Sequence, residues 1–296
     1  RLTTTGVLDS TFVPIGVSSV QSLGIAADGR ALVGGYFSSG TASGPGLRRL
    51  SSSGTFDSTF QPAIRAGGYV YASALLPGGK VLVGGQFTHI NGVPVAGRNL
   101  ARFNIDGSVD SSFNPGTGPN GTVNSLLVQS DGRVVLGGGF FSYNGVTESH
   151  LARIDTDGVL DLGFVAGVVN INGTVFALAS APGGQLVIGG SFTTIGATTR
   201  NHVARLSADG ALDPSFDPGA GPTNSFGYGD VESLAVVADG KVYLGGYFTT
   251  VAGQTRNDLA RLNANGSLDT AFADPALNST VVALALQPDG KVIAGG

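Results

Sequence analysis

Apolar residues in this chain come in short, strand-sized runs, broken at regular intervals by Asp-Gly, Gly-Gly, Ser-Gly and Asn-Gly pairs. No helical period of apolar positions is visible, and runs of this kind between glycine turns predict β-strands. Near the C-terminus, Val281 to Gln287 predicts a first strand, Pro288-Asp289-Gly290 a turn, and Lys291 to Ala294 the start of a second strand. The turn recurs as Ala27-Asp28-Gly29, Pro77-Gly78-Gly79, Ser130-Asp131-Gly132, Pro182-Gly183-Gly184 and Ala238-Asp239-Gly240. Glycine in third place suits a three-residue hairpin loop closed by a left-handed residue. Each second strand ends in paired glycines: Gly34-Gly35, Gly84-Gly85, Gly137-Gly138, Gly189-Gly190, Gly245-Gly246 and Gly295-Gly296. Glycine weakens a strand unless another backbone must come close, so packing of one unit on the next is expected there.

A third and fourth strand follow in a phrase that occurs six times, anchored by Arg1, Arg49, Arg102, Arg153, Arg205 and Arg261 at spacings of 48, 53, 51, 52 and 56 residues. A period near fifty signals a propeller or a solenoid, whose single repeat cannot bury its apolar face alone. A three-residue loop in this phrase places Leu262 opposite Leu268 and Arg261 opposite Asp269. It gives Arg1–Asp9, Arg49–Asp57, Arg102–Asp110, Arg153–Asp161 and Arg205–Asp213 in the other repeats, and these pairs are read as hairpin or inter-blade clamps.

The expected fold is all-β: a six-bladed β-propeller of four-stranded antiparallel blades. Blades are placed at about 20–60, 70–113, 123–164, 175–216 and 231–272, with 281–296 completed by 1–12 so that N- and C-terminal strands close one blade. Closure of that kind removes exposed sheet edges.

Composition narrows the function classes. Net charge is −4 and lysine is confined to Lys80, Lys241 and Lys291, which leaves no basic patch for nucleic acid. No apolar stretch is long enough to predict a membrane span. Cysteine, methionine and tryptophan are absent, which removes disulfides, thiol catalysis and Cys-ligated zinc and suits an oxidising, exposed setting. A start at Arg1 and a stop inside a repeat read as a processed product or a piece of something longer.

Three phrases carry a family resemblance: Leu-Ala-Arg-Leu-Asn-Ala-Asn-Gly-Ser-Leu-Asp from Leu259, Leu-Gln-Pro-Asp-Gly-Lys-Val from Leu286, and Gly-Gly-Tyr-Phe-Thr-Thr from Gly245. They resemble the delta-sixty repeat, a bacterial β-propeller repeat found mostly in large secreted or surface-associated proteins, and the resemblance covers the whole chain. It implies a propeller and an extracellular or cell-surface bacterial setting. It implies no defined activity.

Candidate sites lie on the face shared by the loops from strand two to three and from strand four to the next blade, which vary most. Tyr69 and Tyr71 close one such stretch, and Phe226 and Tyr228 sit in another. Aromatics on variable loops over a rigid scaffold suit stacking on sugars or anchoring a protein, against the alternative that they pack on neighbouring blades. His150 and His202 share one repeat position, held elsewhere by Asn99 and Asp258; ligation of a metal by these residues is the weaker reading beside ordinary polar residues at a strand start.

The stretch Asp155 to Asp161 has acids at alternate positions and a glycine, like part of a calcium loop. Equivalents with Thr3/Thr5, Ser51/Ser53 and Asn263/Asn265 show that the turn works without a cation, so no metal and no cofactor is expected. Glutamate is confined to Glu148 and Glu232, and no Gly-x-Ser-x-Gly elbow occurs, so catalysis is not expected.

The expected role is an extracellular module, a rigid scaffold for adhesion or interaction with a surface protein or glycan. Self-assembly through exchange of the terminal half-blades and a glycan-binding lectin are the alternatives.

Overall fold

The computed structural model describes residues 1–3, 5–13, 16–26, 28–37, 44–60, 68–90, 93–94, 98–164 and 170–296. The start of the variable stretch at 61–67 and the Ala27 position of the first turn lie outside the described residues.

Among the described residues the molecule is all-β, apart from two single-turn 3-10 segments at Pro77–Gly79 and Pro182–Gly184. Of the six three-stranded antiparallel sheets among those residues, five follow one another along the chain, each with its second strand in the middle. Unit one is Val17–Ile25, Ala31–Phe37 and Gly44–Leu50; unit two is Tyr69–Leu75, Val81–Gln86 and Leu100–Phe103. Unit three is Val123–Val128, Val134–Gly138 and Leu151–Ile154; unit four is Val175–Ser180, Leu186–Gly190 and Val203–Leu206. Unit five is Val231–Val236, Val242–Gly246 and Leu259–Leu262, and unit six has two strands, Ala283–Leu286 and Val292–Gly295. First strands of consecutive units pack against one another and form the inner edge of the array.

Two expectations need correction. The fourth strand is reduced to single bridges: Leu2 with Leu8, Leu50 with Phe56, Phe103 with Val109, Ile154 with Leu160, Leu206 with Leu212 and Leu262 with Leu268. The cause is the next residue, an aspartate in every repeat. Asp57 Oδ1 accepts the Thr59 N–H at 3.0 Å, Asp110 Oδ1 that of Ser112 at 3.0 Å and Asp213 Oδ1 that of Ser215 at 2.9 Å. Each aspartate thereby turns the chain out of the ladder, the usual competition of a short polar side chain with sheet pairing. The ring is also not closed: among the described residues no strand joins Arg1–Phe12 to Val281–Gly296. By register with the other units, only Arg1 and Leu2 stand at third-strand positions beside Ile293 and Val292.

The core lies between units rather than within them. The paired glycines make this packing work, and each of the two has its own reason. A methyl group built on Gly189 would lie 2.6 Å from the Val231 side chain of the next unit; on Gly137 it would lie 2.7 Å from Val175, and on Gly245 2.6 Å from Val281. The second glycine faces its own sheet: a side chain on Gly190 would strike the Thr174 carbonyl, and one on Gly246 the Asp230 carbonyl. The valine knobs Val70, Val123, Val175 and Val231 are 0% exposed. Val20, which has no preceding unit, is 55% exposed, and a methyl on Gly295 would meet nothing within 4 Å.

Candidate functional site

Five of the six arginines couple neighbouring units, and Arg261 stays within its own. Arg49 Nε donates to Asp57 at 2.7 Å, and its Nη1 donates to the Ile105 carbonyl of the next turn at 2.7 Å. Arg153 does the same with Asp161 at 2.9 Å and the Ala208 carbonyl at 2.6 Å, and Arg205 with Asp213 at 2.8 Å and the Ala264 carbonyl at 2.6 Å. Arg102 holds Asp110 at 2.6 Å and the Thr156 carbonyl. Arg1 holds Asp9 at 2.8 Å and the Ser52 carbonyl at 3.0 Å. Arg261 holds Asp269 at 2.8 Å but gives its Nη1 to the Tyr243 hydroxyl at 3.0 Å. Each guanidinium also lies over a phenylalanine, at 4.6 Å for Phe60 and Phe164. The aspartates are held as anions. Burial pushes Asp213 up, but hydrogen bonds from Ser215 and Arg205 outweigh it and bring its pKa down to about 2. These residues have spent their hydrogen bonds on the frame.

The opposite side of the repeat carries the variable residues. Asn99, His150, His202 and Asp258 all adopt left-handed backbone, with φ of 65°, 68°, 66° and 60°. Asn, Asp and His tolerate that region better than most residues, which explains their choice here. Asn99 Oδ1 accepts the Phe87 N–H at 2.9 Å, and Asp258 Oδ1 that of Phe248 at 3.2 Å. His150 Nδ1 lies 3.1 Å from the Gly138 carbonyl and its ring meets Phe141 edge-on at 4.7 Å. Burial lowers the pKa of His150 and of His202. Among the described residues, no group of three or more His, Cys, Asp or Glu is placed to hold a metal ion. In the calcium-like stretch, Asp155 Oδ1 accepts the N–H groups of Asp157 and Val159, both at 2.9 Å.

Every first strand of units one to five contains a β-bulge directly after its valine knob. The extra residues are Gln21, Tyr71, Asn124, Phe176 and Glu232, one per unit along the inner edge. A bulge re-aims its side chain away from the sheet. The frame residues around it repeat, while the bulged residue differs in every unit. Tyr71 stacks on Tyr69, with ring centres 5.9 Å apart and planes at 10°.

The sharpest feature lies at the entrance to unit five. Asn224 Oδ1 accepts the N–H groups of Phe226 at 2.9 Å and Tyr228 at 3.1 Å, which fixes a tight turn with Gly227 at φ 81°. Pro222–Thr223 straps the turn to Thr250–Val251. Phe226 and Tyr228 stand out from it, 76% and 62% exposed. Asp230 follows, with Oδ1 3.9 Å from His202 Nδ1, and then Glu232. Burial raises the pKa of Asp230, opposed by His202; burial raises that of Glu232 too, and the Asp230 charge raises it further. Sequence reasoning singled out Phe226, Tyr228 and His202 but not Asp230 or Glu232. The bulge that turns Glu232 outward has no local sequence signature; only comparison of the six repeats exposes the position as variable.

No curated protein matches the sequence. Among solved structures, the chain is similar to the WD40 β-propeller domain of Doa1 (14% identity, TM-score 0.56, covering 93% of this chain and 75% of that one). It is similar to the extracellular domain of a one-component system from B. thetaiotaomicron (13% identity, TM-score 0.55), spanning 97% of this chain but only 39% of that one. A gluconolactonase from Xanthomonas campestris is similar over 97% of this chain and 85% of that one (13% identity, TM-score 0.53). At these identities the likeness shows a shared fold. It also corrects the expectation that catalysis is absent: the same architecture carries a protein named as an enzyme, so neither the fold nor scarce glutamate argues against one. Residues 26–60, 76–113, 129–164, 182–216 and 238–272, more than half of the chain, match the family described as "Domain of unknown function (DUF5122) beta-propeller". The chain belongs to this β-propeller repeat family.

Proposed function

We propose that the protein is an extracellular propeller module whose loop face and inner edge bind a partner at the bacterial surface. The observation that carries this reading is the division of the repeat into a recurring frame and a few variable positions, the bulged residue among them. The Arg–Asp couplers and the valine-in-glycine joints repeat unit after unit, while the bulge presents Gln21, Tyr71, Asn124, Phe176 and Glu232. Exposed aromatics on fixed turns suit recognition of a protein or a glycan. The delta-sixty resemblance and the fold shared with an extracellular domain support the extracellular setting.

A sixth blade fits the same reading. Val20 is a knob without a recess and Gly295 a recess without a knob, and in a closed form Val281–Gly296 with Arg1–Phe12 would supply the sixth blade. The test of function is a screen of purified bacterial surface glycans and secreted proteins with the parent protein and a Phe226→Ala/Tyr228→Ala variant. A ligand of the parent should bind the variant at least about tenfold more weakly. A ligand held equally by both would remove the loop face from the account.

A further inference from the structure

The proposed face is not uniform, and the entrance to unit five carries acids at two positions where the other units carry none. The residue before the valine knob is Ser19, Tyr69, Thr122, Thr174, Asp230 or Thr280, and the bulged residue is acidic only at Glu232. Two carboxylates therefore flank Val231 on one strand end. Both are half-buried, and among the described residues the Glu232 carboxylate has no hydrogen-bond or ion-pair partner. Asp230 has His202 at 3.9 Å and no arginine or lysine. His202 does not supply a lasting counter-charge, because its own burial disfavours the charged ring.

This contrasts with the rest of the molecule. Asp57, Asp110, Asp213 and Asp269 each hold a guanidinium at 2.6–2.8 Å. Among the described residues Asp230 and Glu232 lack such a cation, as does Asp258, whose carboxyl faces the charge of Asp274. Just before Asp230 and Glu232 in the chain, Phe226 and Tyr228 stand exposed on a turn that Asn224 locks. The amide nitrogen of Asn224 is itself buried without a partner. A side chain at Gly229 would meet the His202 ring at 3.0 Å, so turn, histidine and acids form one packed corner.

We infer that this corner, formed by Phe226, Tyr228, Asp230 and Glu232 beside His202, receives an arginine side chain of a partner polypeptide. The inference rests on the loop-face reading and names its partner chemistry. A guanidinium offers the two carboxylates forked donors and the aromatic rings a cation to lie against, and the arginines of this chain already show that combination over Phe60 and Phe164. Like charges close together and partly desolvated gain more from a cation than from neutral hydroxyl groups.

The test is an amide NMR titration of the intact chain with a short Gly-Ser-Arg-Ser-Gly peptide, its citrulline counterpart and methyl glucoside. The arginine peptide should shift signals of 226–232 and His202. The Asp230→Asn/Glu232→Gln variant and the citrulline peptide should each weaken binding at least about tenfold. Equal binding of citrulline, an unchanged double variant, or shifts confined to the glucoside would overturn the inference. Arginine-peptide shifts elsewhere on the loop face would overturn it while leaving the broader reading in place. No response to any probe on that face would count against both.

Discussion

At the scale of single residues, the arginines do several jobs at once and the cost of losing them should follow their burial. Arg102 and Asp110 are both almost fully buried, and Arg102 Nη1 also holds the next unit's turn. Arg102→Ala leaves the Thr156 carbonyl unpaired and Lys80, at 2.7 Å, as the one cation on buried Asp110, a loss of about 1–3 kcal/mol. Arg1→Ala, at a largely exposed pair, should cost much less. Urea unfolding of the two variants checks the order. The same pairs set the acid limit. Asp213 has its pKa lowered from 3.8 to about 2, so the folded state binds its proton less readily than the unfolded state. Its contribution is fully present above the unfolded value and is lost as pH falls toward the folded one. Stability should fall as pH drops through the ordinary histidine range of about 6.5, because burial disfavours charged His150 and His202, and then drop further between about 4 and 2, as read by circular dichroism.

At the scale of elements, the glycine pairs explain why strands so rich in glycine remain strands. Gly245 receives Val281 from the next unit, while Gly246 lets the Asp230 carbonyl approach. Gly245→Ala should therefore destabilise the protein by about 1–3 kcal/mol through overpacking, measured as a fall in the urea midpoint. The strands, the turns and the arginine register were legible in the sequence because each is local: a glycine at a fixed place, an apolar run, an arginine eight residues from an aspartate. The shortened fourth strand was not, because the aspartates that end it look the same whether they pair across a ladder or turn the chain with their own Oδ1. The bulges were also hidden. Glu232 reads as an ordinary strand residue until the register of Val231 with Gly246 and Ser233 with Gly245 shows it to be the extra one.

At the scale of the whole molecule, the repeat interface makes a prediction about closure. If Val20 fills the recess at Gly295, then Gly295→Ala should destabilise a monomeric sample about as much as Gly245→Ala does; an open array leaves that variant unchanged. Ile105, Val109 and Val159 stand exposed on the outer turns that follow the third strands. The most direct test of the central claim is hydrogen–deuterium exchange of the protein with and without a ligand recovered from the surface screen. The account predicts new protection at 69–71 and 224–232, with the outer turns unchanged. Protection at the outer turns and none on the loop face would contradict it.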